Sequence, residues 1–409
     1  MYICSRSDID LQFQRLIEGP LTKNQGELLR NPPVIVLDAL DECSSGRSRS
    51  DQRKTLLDTL AKWRNLPQVF KLIVTSRDER LPISFRQVCE PMVLETGSRV
   101  SSGTSDDIRL FLRSRFADIS NKYPSLSLSK WPGEPIIERL TRRASGLFIW
   151  ADTLVRFVDN GKCPPDDQLD LVLRGDIVSE EDIMSELYQR ILDVSFGKSD
   201  VNVLNAFHAI VGTIIVAKVP LVRNDLAYFL DMAVKKSVVD FILNKLSSVI
   251  SVGTDGMIHI CHLSFADFIS DATRSLKYAI NHAELSVTVA SACFRLMKAG
   301  LKFNICSLKT SHLSNDDVPD LPACIQKSIS TRLSYACRFG LHHLRDTPHD
   351  GPMRVNLFND VDSFLHVQFL YWLEVMSLIK EVRRALAALL GVVLWIGVRF
   401  RSQRLPACI

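Results

Sequence analysis

A short α/β segment built on a partial parallel sheet, followed by a long helical stretch interrupted by one small hairpin, is the fold class that this sequence predicts. Three observations predict it. Two apolar runs near the N-terminus, Val34-Ile-Val-Leu37 and Val69-Phe-Lys-Leu-Ile-Val74, flank a segment of helical period, and β-α-β order with continuous apolar strands implies a parallel sheet covered on both faces. Downstream, apolar residues recur at three- and four-residue spacing, as core-facing helices require. Finally, Gly253-Thr-Asp-Gly256 separates two short apolar runs with the turn chemistry of a hairpin.

The elements follow in order. Leu11, Phe13, Leu16, Ile17 and Leu21 predict a helix within residues 8–29, broken near Gly19-Pro20. Pro32-Pro33 ends any helix and feeds the first strand, Val34 to Leu37. Ser44 to Asp51 reads as a polar connection, and Leu56, Leu57 and Leu60 share one face of a helix over residues 52–63. The second strand is Val69 to Val74 and a third is expected over residues 91–94. Ser105 is positioned to cap a helix with the stripe Ile108, Phe111, Leu112, Phe116 and Ile119. Helices are expected over residues 135–144 and 147–158, then a linker at Gly161 and Pro164-Pro165. Further helices cover residues 180–196, 201–216, 225–230 and 238–246. The hairpin strands are Val249 to Val252 and Met257 to Cys261, and from Glu284 onward only helices are expected, with no repeat of fixed period.

Composition excludes several classes. At 409 residues the chain has room for two to four domains, and 46% hydrophobic with 23% charged residues describes an ordinary globular protein. A net charge of +4 is too small to argue for nucleic acid by bulk electrostatics. The ten cysteines are scattered singly with no C-x-x-C pair, which points to free thiols in a reducing, cytoplasmic compartment. The N-terminus has no apolar signal core. The apolar run from Ala385 to Val398 is fourteen residues, below the roughly twenty that cross a bilayer, and reads as a buried or interfacial helix. His259, Cys261 and His262 do not suit one ion, because alternation along a strand sends His262 to the face opposite His259 and Cys261.

The chemistry concentrates in Val34-Ile-Val-Leu-Asp38-Ala-Leu-Asp41-Glu42-Cys43 and Lys71-Leu-Ile-Val-Thr-Ser-Arg77. An apolar strand that ends in Asp, with two more acids just beyond, suits the delivery of carboxylates to a Mg²⁺-nucleotide at the carboxyl edge of a parallel sheet. Together the two runs look like the Walker B strand and the next core strand of a P-loop NTPase. The phosphate cradle that should accompany them needs a Gly-rich turn followed by Gly-Lys-Ser/Thr. The one Gly-Lys-Ser, Gly197-Lys198-Ser199, lies after these strands, follows a helix-like segment, and has Leu192 where the first Gly belongs. It reads as a polar turn.

In order along the chain, these and further segments resemble the NACHT-type (STAND) signal-transduction NTPases of fungi, with a nephrocystin-3-like N-terminal region. Gln12-Phe-Gln-Arg-Leu-Ile17 with Gly19-Pro-Leu21 resembles the stretch before the family's Walker B, and Ile73-Val-Thr-Ser-Arg77 its sensor strand. Ala144-Ser-Gly-Leu-Phe-Ile-Trp-Ala151 is similar to its helical domain, and Lys218-Val-Pro-Leu221 with Asp225-Leu226 to its winged helix. His262-Leu-Ser-Phe265-Ala-Asp267-Phe268 resembles the winged-helix His motif. Phe303-Asn-Ile-Cys306, Leu333 to Phe339 and Trp372-Leu-Glu-Val375 resemble the linker of basidiomycete members.

The resemblance implies a domain order: residues 1–100 as the C-terminal half of the NTPase core, 101–165 a helical domain, 166–275 a winged helix, 276–385 a helical linker and 386–409 a divergent tail. It implies that Asp38 orders Mg²⁺, Asp41 and Glu42 polarise the attacking water, Arg77 senses the γ-phosphate, and His262 reaches the β-phosphate of ADP. Intact relatives are expected to act as ATP/ADP-gated oligomerising switches in self/non-self recognition or cell death, with protein partners or further copies of themselves. Relative to that family the chain lacks the first strand and P-loop, and residues 391–409 read as read-through sequence. It is therefore expected to be a truncated or mispredicted product, or to pair with a separate chain. Losing several charge-assisted hydrogen bonds, each worth about 1.5–3 kcal/mol, should leave Mg-ATP or Mg-ADP binding weak or absent, since micromolar affinity is only about 8 kcal/mol. Two rivals stand beside this reading: a nucleotide-independent interaction scaffold, and a metal-dependent hydrolase built on Asp38, Asp41 and Glu42.

Overall fold

The computed structural model describes residues 9–23, 32–40, 50–76, 83–92, 100–123, 131–161, 163–174, 182–230, 236–310, 312–348 and 354–402. The chain divides into two compact units, Met1–Leu94 and Glu95–Ile409.

The first unit opens with α1 (Ile9–Phe13) and α2 (Gly19–Lys23), joined without a break by a π-turn over Gln14–Glu18. The expected break at Gly19-Pro20 does not occur. In the wide turn the Gly19 N–H bonds to the Gln14 carbonyl, and the missing donor of Pro20 falls in the first turn of α2, where none is needed. A Cβ on Gly19 would lie 2.9 Å from that carbonyl oxygen, so the turn requires glycine. Strand β1 (Val34–Leu37), α3 (Ser50–Ala61) and β2 (Lys71–Val74) form the expected β-α-β unit, and the strands pair in parallel with Leu37 opposite Val74. Asp10 bonds to Lys62 at 2.8 Å and to Thr59, tying α1 to the end of α3.

Two expectations for the sheet are corrected. Pro91 and Met92 lie in no strand, and residues 93 and 94 fall outside the described residues. Among the described residues the sheet is also covered on one face only. Leu37, Leu72 and Val74 pack on Leu40, Leu57, Leu60 and Phe85, the last from α4 (Ile83–Arg86), whereas Val34, Val36 and Ile73 are exposed. Strand side chains alternate, so a single covering layer buries only every second residue.

The second unit is built on one continuous core running from Ile108 to Trp395. Its first helix, α5 (Ser102–Lys122), buries the expected stripe of Ile108, Leu112, Phe116 and Ile119, but Ser101 is the cap, accepting from the Thr104 N–H at 3.1 Å. Next come α6 (Glu134–Ala144), α7 (Phe148–Val158) and α8 (Pro165–Leu173). The last corrects the expected linker: Pro165 opens a helix, a position that tolerates its fixed φ and missing donor. Arg139, Arg143 and Arg190 donate to the carbonyls of Leu173, Val172 and Arg174, closing the C-terminal end of α8 with cations.

Then α9 (Ile183–Phe196), α10 (Val201–Val216), α11 (Arg223–Phe229) and α12 (Lys236–Lys245) lead into the antiparallel hairpin β3 (Ile250–Val252) and β4 (Ile258–Ile260), close to the sequence expectation. Gly197-Lys198 forms the turn after α9, as the sequence suggested. The rest of the unit is helical: α13 (Leu263–Ser270), α14 (Ala272–Ser275), α15 (His282–Gly300), α16 (Leu321–Ser328), α17 (Thr331–Arg345), α18 (Arg354–Ser363), α19 (Phe369–Leu378) and α20 (Val382–Ser402). A Cβ on Gly340 of α17 would lie 3.0 Å from the Cys293 Cβ of α15, and glycine allows that close crossing. Trp395 is buried in α20 and donates its indole N–H to Thr347 at 2.9 Å, so this helix is packed into the core. No helix among the described residues is long and apolar enough to cross a membrane.

Candidate functional site

Parallel register fixes what lies at the carboxyl edge of the small sheet. Because Leu37 pairs with Val74, the next residues, Asp38 and Thr75, are neighbours. The Thr75 hydroxyl donates to the Asp38 carboxylate at 2.5 Å and accepts from the Ala39 N–H at 2.8 Å. The two backbones lock the same corner. Thr75 N–H donates to the Leu37 carbonyl at 3.0 Å, and Leu40 N–H donates to the Thr75 carbonyl at 2.9 Å. Between them Ala39 takes a positive φ of 53°, an uncommon conformation for a residue with a Cβ. Buried Leu40 anchors the turn, so the exposed Asp38 carboxylate is held in place by its neighbours on both sides.

Asp41, Glu42 and Arg77 lie outside the described residues. Among the described residues no group of three or more His, Cys, Asp or Glu is gathered to hold a metal ion. A Mg²⁺ bound with a nucleotide needs no such cage, since it takes one or two carboxylates and completes its shell with phosphate oxygens and water. An exposed, preorganised carboxylate at a strand's carboxyl end fits one position of that shell.

His262 belongs to the second unit. It is the N-cap of α13: ring Nδ1 accepts from the Ser264 N–H at 3.1 Å and shares a 2.6 Å hydrogen bond with the Ser264 hydroxyl. A nitrogen that accepts from a backbone N–H carries no proton, so the neutral ring holds its proton on Nε2. The Ser264 hydroxyl is in turn 2.8 Å from the hydroxyl of Tyr188. Tyr188 is buried against Phe265 and Phe268, and burial pushes its hydroxyl up to about 12, so it stays protonated. Sequence reasoning singled out His262 but not its neighbours Ser264 and Tyr188, nor Thr75 beside Asp38. Thr75 could have been found by pairing the strands in register, since it follows β2 as Asp38 follows β1. Tyr188 lies 76 residues before Ser264, and nothing local marks it.

Among known proteins, the family model for the N-terminal region of nephrocystin 3 matches residues 3–77. No curated protein and no solved structure matches the chain. The matched stretch contains β1, β2 and the Asp38–Thr75 pair, and supports a nephrocystin-3-like assignment for this part of the molecule.

Proposed function

We propose that the chain is part of a NACHT-type nucleotide switch, with Asp38 and Thr75 forming the cation-binding corner of its NTPase core. The observation that carries this reading is the Asp38–Thr75 pair at the carboxyl edge of a parallel β-α-β unit, the place where open α/β sheets bind ligands. Mg²⁺, when bound with ATP or ADP, neutralises charge on the phosphates. Thr75 orients the Asp38 carboxylate for that ion. Asp41 and Glu42 would polarise the attacking water and Arg77 would sense the γ-phosphate, as the resemblance implies. In this reading the hairpin and the helices around it are a winged helix, whose His262 would reach the β-phosphate of ADP. A ligand held by both parts shifts the population of closed over open states by its differential affinity. In intact relatives this reading makes the switch an ATP/ADP-gated oligomerising device of the cytoplasm.

A second reading, a nucleotide-independent interaction scaffold, is favoured by the continuous core of the second unit, which runs from Ile108 to Trp395. Calorimetry and thermal shift with Mg-ADP separate the two. The switch reading expects weak, Mg²⁺-dependent binding near millimolar, about 4 kcal/mol, reduced at least tenfold in Asp38→Ala. No heat and no shift at millimolar Mg-ADP or Mg-ATP would leave the scaffold reading standing.

A further inference from the structure

The turn between α10 and α11 is fastened to the end of α17 through one residue. Lys218 donates its backbone N–H to the Tyr335 hydroxyl at 3.1 Å and its Nζ protons to the Asp346 carboxylate at 2.6 Å. The Tyr335 hydroxyl in turn lies 2.8 Å from Nε2 of His343, whose side chain is fully buried and whose Nδ1 has no hydrogen-bond partner among the described residues. The same end of α17 seats α20. Thr347 receives the Trp395 indole N–H at 2.9 Å, and Arg345 runs beneath Gly391, with its Cδ 3.5 Å from where a Cβ there would lie.

Proton inventory and charge both favour a neutral ring. Tyr335 is buried, and burial keeps its hydroxyl protonated. A neutral imidazole either accepts the Tyr335 proton at Nε2, leaving Nδ1–H without an acceptor, or donates Nε2–H to the hydroxyl, leaving the phenol proton without one. One buried donor is stranded in either case. An imidazolium carries both N–H groups and strands two. It also adds charge where cations are already in excess. Among the described residues Lys218, Arg338, Arg345 and Arg384 share two carboxylates, Asp346 and Glu381, in pairs of 2.6 to 3.5 Å. His342 adjoins the same charges, and His282 at the start of α15 faces Lys218. The Cys293 thiol near Tyr335 is buried and stays protonated.

We infer that Lys218, Tyr335, His343 and Asp346 form an acid-opened latch: it holds the turn after α10 to the end of α17 while His343 is neutral, and protonation of His343 opens it and releases α20 from Thr347. Burial and then the Lys218 charge hold the imidazole down to about 3 in the closed state, with Asp346 opposing them. Freed from the core, the ring returns toward its ordinary 6.5, so proton uptake falls on the open state. The ratio of open to closed molecules therefore rises about tenfold per pH unit below about 6.5. None of the four residues belongs to the proposed nucleotide site.

Hydrogen exchange of the full chain at pH 7.5 and 5.5, with labelling times scaled for the intrinsic rate, tests the latch. The expected result is about tenfold weaker protection at pH 5.5 over residues 343–347 and around Trp395, with α9 unchanged, and no such loss in His343→Gln. Where His343→Gln does not fold, Asp346→Asn takes its place. That change lies at the surface, and loss of the carboxylate that neutralises Lys218 should weaken protection over the same residues already at pH 7.5. Equal protection at both pH values, a loss at pH 5.5 that extends equally to α9, or a loss that persists in folded His343→Gln would each overturn the inference. So would Asp346→Asn protected at pH 7.5 to the same degree as the unchanged chain.

Discussion

Among the described residues the Thr75 hydroxyl is the side chain that holds the Asp38 carboxylate, and its removal separates site chemistry from stability. In Thr75→Val the shape remains while the hydroxyl that donates to Asp38 and accepts from the Ala39 N–H is gone. The bond lies at an exposed corner, so the expected cost in stability is about 1 kcal/mol or less, while the Mg-ADP thermal shift should fall to the level of Asp38→Ala. A different residue-scale prediction concerns His343, fully buried in α17 with its Nε2 2.8 Å from the Tyr335 hydroxyl. Burial, then the charge of Lys218, hold its imidazole down to about 3, with Asp346 opposing them. A histidine depressed in the folded state contributes stability that is fully present above its ordinary value of 6.5 and is lost as pH falls from there toward 3. His342, also lowered by burial and by Arg345, acts in the same direction. Asp346 enters only below about its ordinary 3.8: burial pushes its carboxyl up, but the Lys218 hydrogen bond and charge outweigh that and leave it lowered. Denaturant titrations between pH 6.5 and 4 should show a stability slope reduced by about 1.4 kcal/mol per pH unit in His343→Gln. An unchanged slope would mean that His343 is not buried neutral.

Among elements, those with strong periodicity were legible in sequence and those set by distant partners were not. The stripe Ile108, Leu112, Phe116, Ile119 gave α5, yet its cap moved from Ser105 to Ser101, because either serine can open that stretch and only the structure selects the earlier one. Gly19-Pro20 and Pro164-Pro165 were read as breaks by composition. In fact a π-turn absorbs the first pair and Pro165 begins α8. The hairpin was legible because Gly253-Thr-Asp-Gly256 fixes it locally, with Gly256 at φ 77°. Helix crossings had no sequence signal at all. Gly340 looks like an ordinary mid-helix glycine, but it is where α17 meets α15 at Cys293. Gly340→Ala gains helix propensity and nevertheless should destabilise by about 1–3 kcal/mol, because the new methyl meets a Cβ that cannot rotate away. Thermal melts decide this, and a stabilised variant would show that the two helices can separate at no cost.

At the scale of the molecule, the two units differ in how fully they are built. The second has one core reaching to Trp395, whose indole is buried and bonded to Thr347. The residues read from sequence as a divergent tail thus contribute to the core, and Trp395→Ala should cost about 3–5 kcal/mol and lower the melting temperature of this unit. Among the described residues the first unit has two small clusters, one around Phe13 and Phe70 and one beneath the sheet, and leaves Val34, Val36 and Ile73 exposed. Parallel sheets are ordinarily covered on both faces, so this unit should open at lower free energy than the second. Asp38 lies in the first unit and His262 in the second. The proposed switch requires one nucleotide to engage both. Hydrogen exchange of the full chain with and without saturating Mg-ADP tests that requirement most directly. The account predicts slowed exchange both at Ala39 and Leu40 beside Thr75 and at Ser264 beside His262, appearing at the same nucleotide concentration and absent in Asp38→Ala. Exchange unchanged at both places under saturating Mg-ADP would contradict it.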